Sequence, residues 1–198
     1  MSFSESTYYG EEFSRLSLEK ESIKSKRFEE CEFSSCVFVD CKFVKCTLIN
    51  CKFNDCVLSA IVPLDSRFID VSFAKSKAIG FDWPKAQKLQ GLVFEGCQVD
   101  YSNFRLLKIP RIRMANCEAK EIDFIETDLS GGDFRNTDFQ GSRFLKSDLS
   151  GADFRGARNY FIDARNNTFR KTRFSLPEAL VLLQSLDITI DQVFPGAD

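Results

Sequence analysis

The side chains with the clearest chemical potential are carboxylates that recur at multiples of five residues in the second half of the chain. They are Asp123, Asp128, Asp133, Asp138, Asp148 and Asp153. Paired carboxylates can act as general acid and base, but the 198 residues include no His, so the commonest general base is missing. The sequence also contains no Gly-rich phosphate loop and no serine-nucleophile motif. We therefore expect no catalytic residues and no bound cofactor.

Eight cysteines are the second group with possible chemistry. Six follow each other at intervals of five, and two stand further on: Cys31, Cys36, Cys41, Cys46, Cys51, Cys56, Cys97 and Cys117. This spacing differs from the short C-x2-C spacing of zinc sites. The favoured interpretation is small buried side chains with free thiols and no metal; metal or redox ligands remain the alternative.

The same interval of five governs the bulky residues and explains both groups. Between Glu121 and Gly156 an apolar residue recurs at every fifth position: Phe124, Leu129, Phe134, Phe139, Phe144, Leu149 and Phe154. A period of five fits neither a helix nor a simple strand, but it closes if five residues form one side of a square coil. Residues 20 apart then stack, and the central residue and the one two places earlier point inward. The aspartates precede the central residues, so we expect them on the outside, with Asp133 above Asp153 and Asp128 above Asp148.

The repeat divides the chain into three parts. Residues 1–12 fit no repeat and are expected to cap the first coil, and residues 13–174 form the coils. The phase fails in the middle, because Phe73 and Leu89 are one residue more than three repeats apart. We interpret residues 76–88 as a loop that leaves the coil, which makes its Phe81 and Trp83 candidates for partner binding. The alternative is a bulge whose aromatic rings fold back on the wall.

Residues 175–198 form the third part. Ser175-Leu176-Pro177-Glu178 has the pattern of a capping box, which predicts a helix from about Leu176. One face of this helix can plug the last coil, and the remaining apolar residues favour contact with a second copy. The candidates for that contact are Leu176, Leu180, Leu183, Ile188 and Ile190.

Charge and hydropathy exclude several function classes. The 27 Lys and Arg nearly balance the 29 Asp and Glu, so no global field favours nucleic acid or a membrane. A cluster in the middle of the chain, Arg105, Lys108, Arg111, Arg113 and Lys120, is expected to be a solvated face. Without an aromatic platform beside it, we expect no direct binding of nucleic acid. The polar, acidic start and the short apolar runs predict a cytoplasmic protein without a membrane span.

Individual repeats such as Thr137-Asp138-Phe139-Gln140-Gly141 and Ala152-Asp153-Phe154-Arg155-Gly156 resemble the pentapeptide repeat family. The resemblance implies an all-β solenoid, a right-handed quadrilateral β-helix of about eight coils, followed here by a C-terminal α-helix.

One branch of that family is similar in further features. The run CQVDYSNFRLLKI from Cys97, DLSGGDF from Asp128, the broken coil and the apolar helix resemble the quinolone-resistance and microcin-immunity proteins. This resemblance implies a non-enzymatic homodimer that mimics DNA and protects DNA gyrase or topoisomerase IV from inhibitors. Asp128, Asp133, Asp148 and Asp153 are then the candidate contacts, although the middle of the chain is positively charged. The alternative is a scaffold or interaction module with an unrelated partner.

Overall fold

The chain forms a parallel β-solenoid of about eight turns that ends in one short helix. The structure is a computed structural model and describes residues 3–186 and residue 188. In chain order its strands are β1 (Thr7–Tyr9), β2 (Glu12–Ser14), β3 (Ser17–Glu19), β4 (Ser22–Lys24), β5 (Arg27–Glu29), β6 (Glu32–Ser34), β7 (Val37–Val39), β8 (Lys42–Val44), β9 (Thr47–Ile49), β10 (Lys52–Asn54), β11 (Val57–Ser59), β12 (Arg67–Ile69), β13 (Ser72–Ala74), β14 (Lys77–Ile79), β15 (Lys88–Gln90), β16 (Val93–Glu95), β17 (Arg113–Ala115), β18 (Asp123–Ile125), β19 (Arg143–Leu145) and β20 (Phe161–Ile162). The helix is α1 (Leu180–Gln184). This architecture confirms the predicted solenoid.

In the first half of the chain a repeat of five residues is typically a three-residue strand followed by a corner, whereas from about residue 97 onward most repeats form a single bridge between turns. In β9, Leu48 is fully buried while Thr47 and Ile49 lie on the outer wall. Asn50 then takes a left-handed φ of 52°, which turns the chain through the corner. A non-glycine residue in this conformation costs about 1–2 kcal/mol. Hydrogen bonds between corners help to offset the cost, since Asn50 N donates to Ile69 O at 3.0 Å.

Residues in successive coils stack in four faces. Phe53 pairs in parallel with Phe33 below and Phe73 above, and their rings stack with centroids 4.6 and 5.0 Å apart. Face I contains β1, β5, β9, β12 and β15; face II contains β2, β6, β10, β13, β16 and β17; face III contains β3, β7, β11 and β14; face IV contains β4 and β8 and, further along, β18, β19 and β20.

The interior is a column of apolar side chains, and most of the buried polar atoms among the described residues are hydrogen-bonded. The residue two places before the centre is often small, and where it is Ser, Thr or Cys its side chain usually bonds the backbone of the coil below. Ser66 Oγ donates to Phe43 O at 2.8 Å and accepts from Cys46 N at 2.9 Å. A buried hydroxyl would otherwise be costly, so these bonds help to hold successive coils in register.

The interpretation of residues 76–88 as a loop outside the coil is wrong. Lys77–Ile79 is strand β14, which pairs with β11, and Ala78 occupies a central position. Trp83 fills the next one and is 0% exposed. The extra residue of this coil is accommodated in the turn after Trp83, which starts as a 3-10 turn, Trp83–Lys85. The pattern was hidden because Ala78 is small and proline follows the tryptophan.

The first coil starts before the predicted boundary. Tyr8 lies in β1 and pairs with Phe28, so part of the expected cap of residues 1–12 is regular coil. Phe3 covers this end of the core instead, with its ring edge-on to those of Tyr8, Phe13 and Phe28.

Near the C-terminal end of the solenoid the number of residues per coil falls below 20 and then returns to it. Asn159 stands at a central position but is exposed, and Tyr160 is buried in its place. Phe144 consequently pairs with Ile162, only 18 residues further on. The interval of 20 returns with the bridge between Asp148 and Thr168.

The C-terminal helix differs from its prediction in start and cap. It begins at Leu180 rather than near Leu176, and no side chain caps its first turn. Ser175 Oγ accepts a hydrogen bond from Gly156 N and so belongs to the last coil. The predicted capping box is therefore not formed, because the coil competes for its serine.

Helix α1 covers the end of face IV. Val181 and Leu182 pack against the core, and Ser185 Oγ accepts from Ala164 N at 2.9 Å while donating to Leu182 O. An uncovered strand edge would invite pairing with other chains. No helix in the described part of the chain is long and apolar enough to span a membrane.

Candidate functional site

The cysteines lie in the interior columns. All eight are buried and free, and their thiols bond backbone carbonyls, as Cys56 Sγ does with Phe33 O at 3.3 Å. Burial raises the pKa of Cys51 to about 12, of Cys56 to about 11 and of Cys117 to about 12. Among the described residues, no group of three or more His, Cys, Asp or Glu side chains is arranged to hold a metal ion.

We expect the native protein to expose almost no reactive thiol, whereas the denatured protein should titrate eight. The nucleophile is the thiolate, and burial keeps the six thiols from Cys41 onward protonated by raising their pKa above the ordinary value of 9.0. Because the unfolded chain loses those protons first, stability should fall as the pH rises from about 9 towards 12. Thiol titration with and without denaturant, and thermal unfolding between neutral and alkaline pH, measure both effects. Rapid native labelling would contradict the burial.

The predicted aspartate ladders are present, but the two ladders differ in charge. Asp128 and Asp148 bridge in parallel on face I. Their carboxylates accept from the backbone N–H groups of Ser130 and Ser150 at 3.0 and 2.9 Å. Neither carboxylate has an ion-pair partner within 4.0 Å among the described residues. This ladder therefore carries uncompensated negative charge.

The ladder on face II is neutralised by arginines. Arg135 binds Asp133 through two nitrogens, at 2.8 and 2.7 Å, and Arg155 binds Asp153 in the same manner. Hydrogen bonds from these guanidinium groups lower the pKa of both carboxyls. Each arginine lies two residues after its aspartate, on the same side of the strand, so the repeat itself creates the pairing.

The other aspartates are less solvated than expected. Asp138 is only 7% exposed; it accepts from Gln140 N and Asn159 Nδ2 and pairs with Arg158. Asp123 is bound by Arg143 in the next coil. These carboxylates are structural bridges between coils.

The aromatic candidates for partner binding are inside the protein. Phe81 and Trp83 are 1% and 0% exposed, and their rings stack with centroids 4.4 Å apart. Neither can contact a partner without unfolding of the coil.

The dimerisation candidates lie on the surface where they are described. Leu176, Leu180, Leu183 and Ile188 are exposed, whereas Ile190 lies outside the described residues. Leu180 and Leu183 are exposed on α1, whereas Val181 and Leu182 of the same helix pack against the core.

Two apolar features of the surface escaped the sequence interpretation. Leu145 and Phe161 line a groove of about 420 Å³ on face IV, and Phe161 is 62% exposed. Tyr101 and Leu106 stand at corners and are 67% and 70% exposed. The sequence signal for such exposed side chains is an apolar residue directly after a central residue or at a corner. The repeat usually carries polar residues at these positions.

The fold and this surface define a class of protein, a β-solenoid rod whose polar residues stand in columns along its outer faces. Two family profiles match the sequence: "Pentapeptide repeat region" over residues 26–104 and "Pentapeptide repeats (8 copies)" over residues 120–157. The chain belongs to the pentapeptide repeat proteins.

Solved structures agree in fold over more than nine tenths of the chain. One trypsin-treated variant of QnrB1, a plasmid-mediated fluoroquinolone resistance protein, has a TM-score of 0.71 at 16% identity and covers 97% of this chain and 100% of its own. A second trypsin-treated variant has a TM-score of 0.56 at 17% identity and covers 91% and 100%. No curated protein matches the sequence at a significant level.

Proposed function

We propose that this protein is a non-catalytic binding protein that engages a type II topoisomerase and protects it from inhibitors such as fluoroquinolones. The observation that carries the proposal is the correspondence in fold with the fluoroquinolone resistance protein QnrB1 over 97% of the chain. The binding surface is the outer wall of the rod, whose columns present side chains at a fixed rise of about 4.8 Å per coil.

The charge pattern favours one of the two aspartate ladders, Asp128 and Asp148, as the acidic contact with the topoisomerase. Asp128 and Asp148 keep their charge, whereas the charges of Asp133 and Asp153 are compensated by Arg135 and Arg155. A basic surface of the topoisomerase that normally holds DNA would attract the charged carboxylates of Asp128 and Asp148. It would gain little electrostatic attraction from Asp133 and Asp153. The mimicry of DNA is thus local, since the rod as a whole is nearly neutral.

Dimerisation through α1 completes this proposal. Leu180 and Leu183 are each 38% exposed and Leu186 is 42% exposed, so the helix offers an apolar stripe to a second copy. A two-fold contact there would bring the C-terminal ends of two rods together, with an Asp128/Asp148 ladder on either side of the centre.

The test is a supercoiling assay of gyrase with and without a fluoroquinolone. The double variant Asp128→Asn/Asp148→Asn should require about tenfold more protein for half-protection, which corresponds to roughly 1.4 kcal/mol of lost attraction. Asparagine keeps the oxygen that accepts from the backbone, so the fold should be retained. The matched control Asp133→Asn/Asp153→Asn changes the same repeat position in the same coils and should have a smaller effect.

The outcomes separate this proposal from its alternative. Equal effects of the two double variants would refute the assignment of the acidic contact to face I. Absence of protection by the unmodified protein would refute the topoisomerase function itself. The second candidate, an interaction module for an unrelated partner, is favoured by the exposed groove around Leu145 and Phe161.

A further inference from the structure

A second charged surface lies along the edge where face IV turns into face I. Three columns meet there: the last outward residue of face IV, the corner residue and the first outward residue of face I. Between residues 44 and 108 these columns hold Lys45, Arg67, Lys85, Lys88, Arg105 and Lys108, all exposed. The same columns contain one carboxylate, Asp65. We call these six side chains the basic edge.

Backbone contacts hold the basic edge in line. On face I, Thr47 pairs with Arg67 and Arg67 with Lys88 in parallel register. Lys108 lines a small cavity of about 80 Å³ together with residues 89–91 of the coil below. At the corner, Lys45 N donates to Leu64 O and Asp65 N to Lys85 O, both at 2.9 Å. The charges therefore follow the axis of the rod and are not scattered over it.

None of the six side chains forms an ion pair within the part of the chain that the structure describes. This sets them apart from the arginines of face II, such as Arg113, which bridges Glu95 and Asp133. A groove of about 460 Å³ between Lys45 and Arg67 makes part of the edge concave. Uncompensated charges on such a surface attract an anionic partner.

We propose that the basic edge binds the phosphate backbone of duplex DNA. With a rise of about 4.8 Å per coil, the coils of Lys45 to Lys108 span roughly 14 Å, about four phosphates of one strand. The three columns contain no aromatic side chain on which unstacked bases could lie, which favours a duplex over a single strand. Leu64 and Leu106 stand two coils apart on this edge, so they form no contiguous anchor for a protein partner.

The proposed DNA-binding surface ends where the side chains along this edge change from positively to negatively charged. Lys108 bridges to Asp128, and Asp128 to Asp148, on the same column of face I. Phosphates would be repelled from that point. The rod thus carries one basic and one acidic segment along a single edge, and the contact with DNA is independent of sequence because phosphates carry no sequence information.

This proposal replaces the expectation that nucleic acid is not bound directly. The basic cluster of the linear sequence is dispersed, since Arg113 lies on face II and Lys120 pairs with Glu118 on face III. Only Arg105 and Lys108 of that cluster reach the basic edge. The other four members of the basic edge come from three earlier coils, and only the stacking of coils brings them together.

The test is the binding of a fluorescent random-sequence duplex of about 20 base pairs, followed by anisotropy between about 50 and 200 mM salt. We expect the logarithm of the binding constant to fall with that of the salt concentration with a slope of about −3 or steeper, since each neutralised phosphate contributes about −0.9. The edge variant Lys45→Gln/Arg67→Gln/Lys88→Gln should flatten this slope by about 3 and weaken binding on the order of 100-fold near 100 mM salt.

The control variant Lys52→Gln/Lys75→Gln/Lys77→Gln removes the same net charge. It also changes one corner residue and two strand residues, but on faces II and III, so its slope and affinity should stay near those of the unmodified protein. Circular dichroism should find all three proteins equally folded.

Three results would overturn the proposal: no binding at the lowest salt concentration, equal losses in the edge and control variants, or competition by poly-glutamate as strong as by unlabelled duplex. The last would identify an acidic polypeptide as the ligand class. The assay contains no topoisomerase, so its failure would leave the proposed protection of that enzyme untouched.

Discussion

Trp83→Ala is expected to lower the free energy of unfolding by about 3–5 kcal/mol, with a fall in Tm on the order of 10 °C. The indole is fully buried between the rings of Phe81 and Phe104, with centroids 4.4 and 6.0 Å away. Its removal leaves a cavity inside a coil that already carries one extra residue. Thermal unfolding followed by circular dichroism measures the loss, since the variant lacks the only tryptophan.

Two further variants make this result specific. Trp83→Phe keeps most of the ring volume and removes an indole N–H that has no hydrogen-bond partner among the described residues, so it should cost less than about 1.5 kcal/mol. Tyr101→Ala truncates an aromatic ring that is 67% exposed and should change stability little. If Trp83→Ala left stability intact but abolished protection of a topoisomerase, the ring would be a recognition element after all.

The second large effect is expected in the C-terminal helix, where two adjacent leucines should respond differently to the same change. Leu182→Asp should destabilise the fold by several kcal/mol, because Leu182 packs against the core and would bury an unpaired carboxylate. Leu183→Asp should instead give a folded monomer, because its side chain is 38% exposed on the apolar stripe proposed for dimerisation. Light scattering and thermal unfolding of both variants test the distinction.

The monomeric variant also tests the link between assembly and function. Separating the two rods would leave a single acidic ladder, so protection of gyrase should weaken in Leu183→Asp while the fold persists. An unmodified protein that is monomeric at micromolar concentration, or a monomeric variant with full protection, would refute the dimeric form of the proposal. The scaffold function would then replace it.

The sequence alone predicted the solenoid, its apolar interior and the burial of the cysteines as free thiols, because these depend on one local rule. A repeat of five with a bulky centre admits few arrangements that bury every centre. The rule failed where its signal weakened: Ala78 and Trp83 keep their central positions although a small residue and a following proline obscure them. The capping box at Ser175 failed for another reason, since Gly156 of the last coil uses that oxygen.

What the sequence by itself determined is which residues face inward, which face outward and which ones stack 20 positions apart. Only the tertiary structure decided which outward charges of neighbouring coils come together. Asp128 and Asp133 hold the same repeat position, yet only Asp133 forms an ion pair with a neighbouring coil, through Arg113. In the same way the extra residue after Trp83 shifts the register of the following coil, so that Lys88 lies above Arg67 on the basic edge. Electrostatic interactions depend on distances between coils, and these distances follow from the exact path of the corners rather than from the repeat.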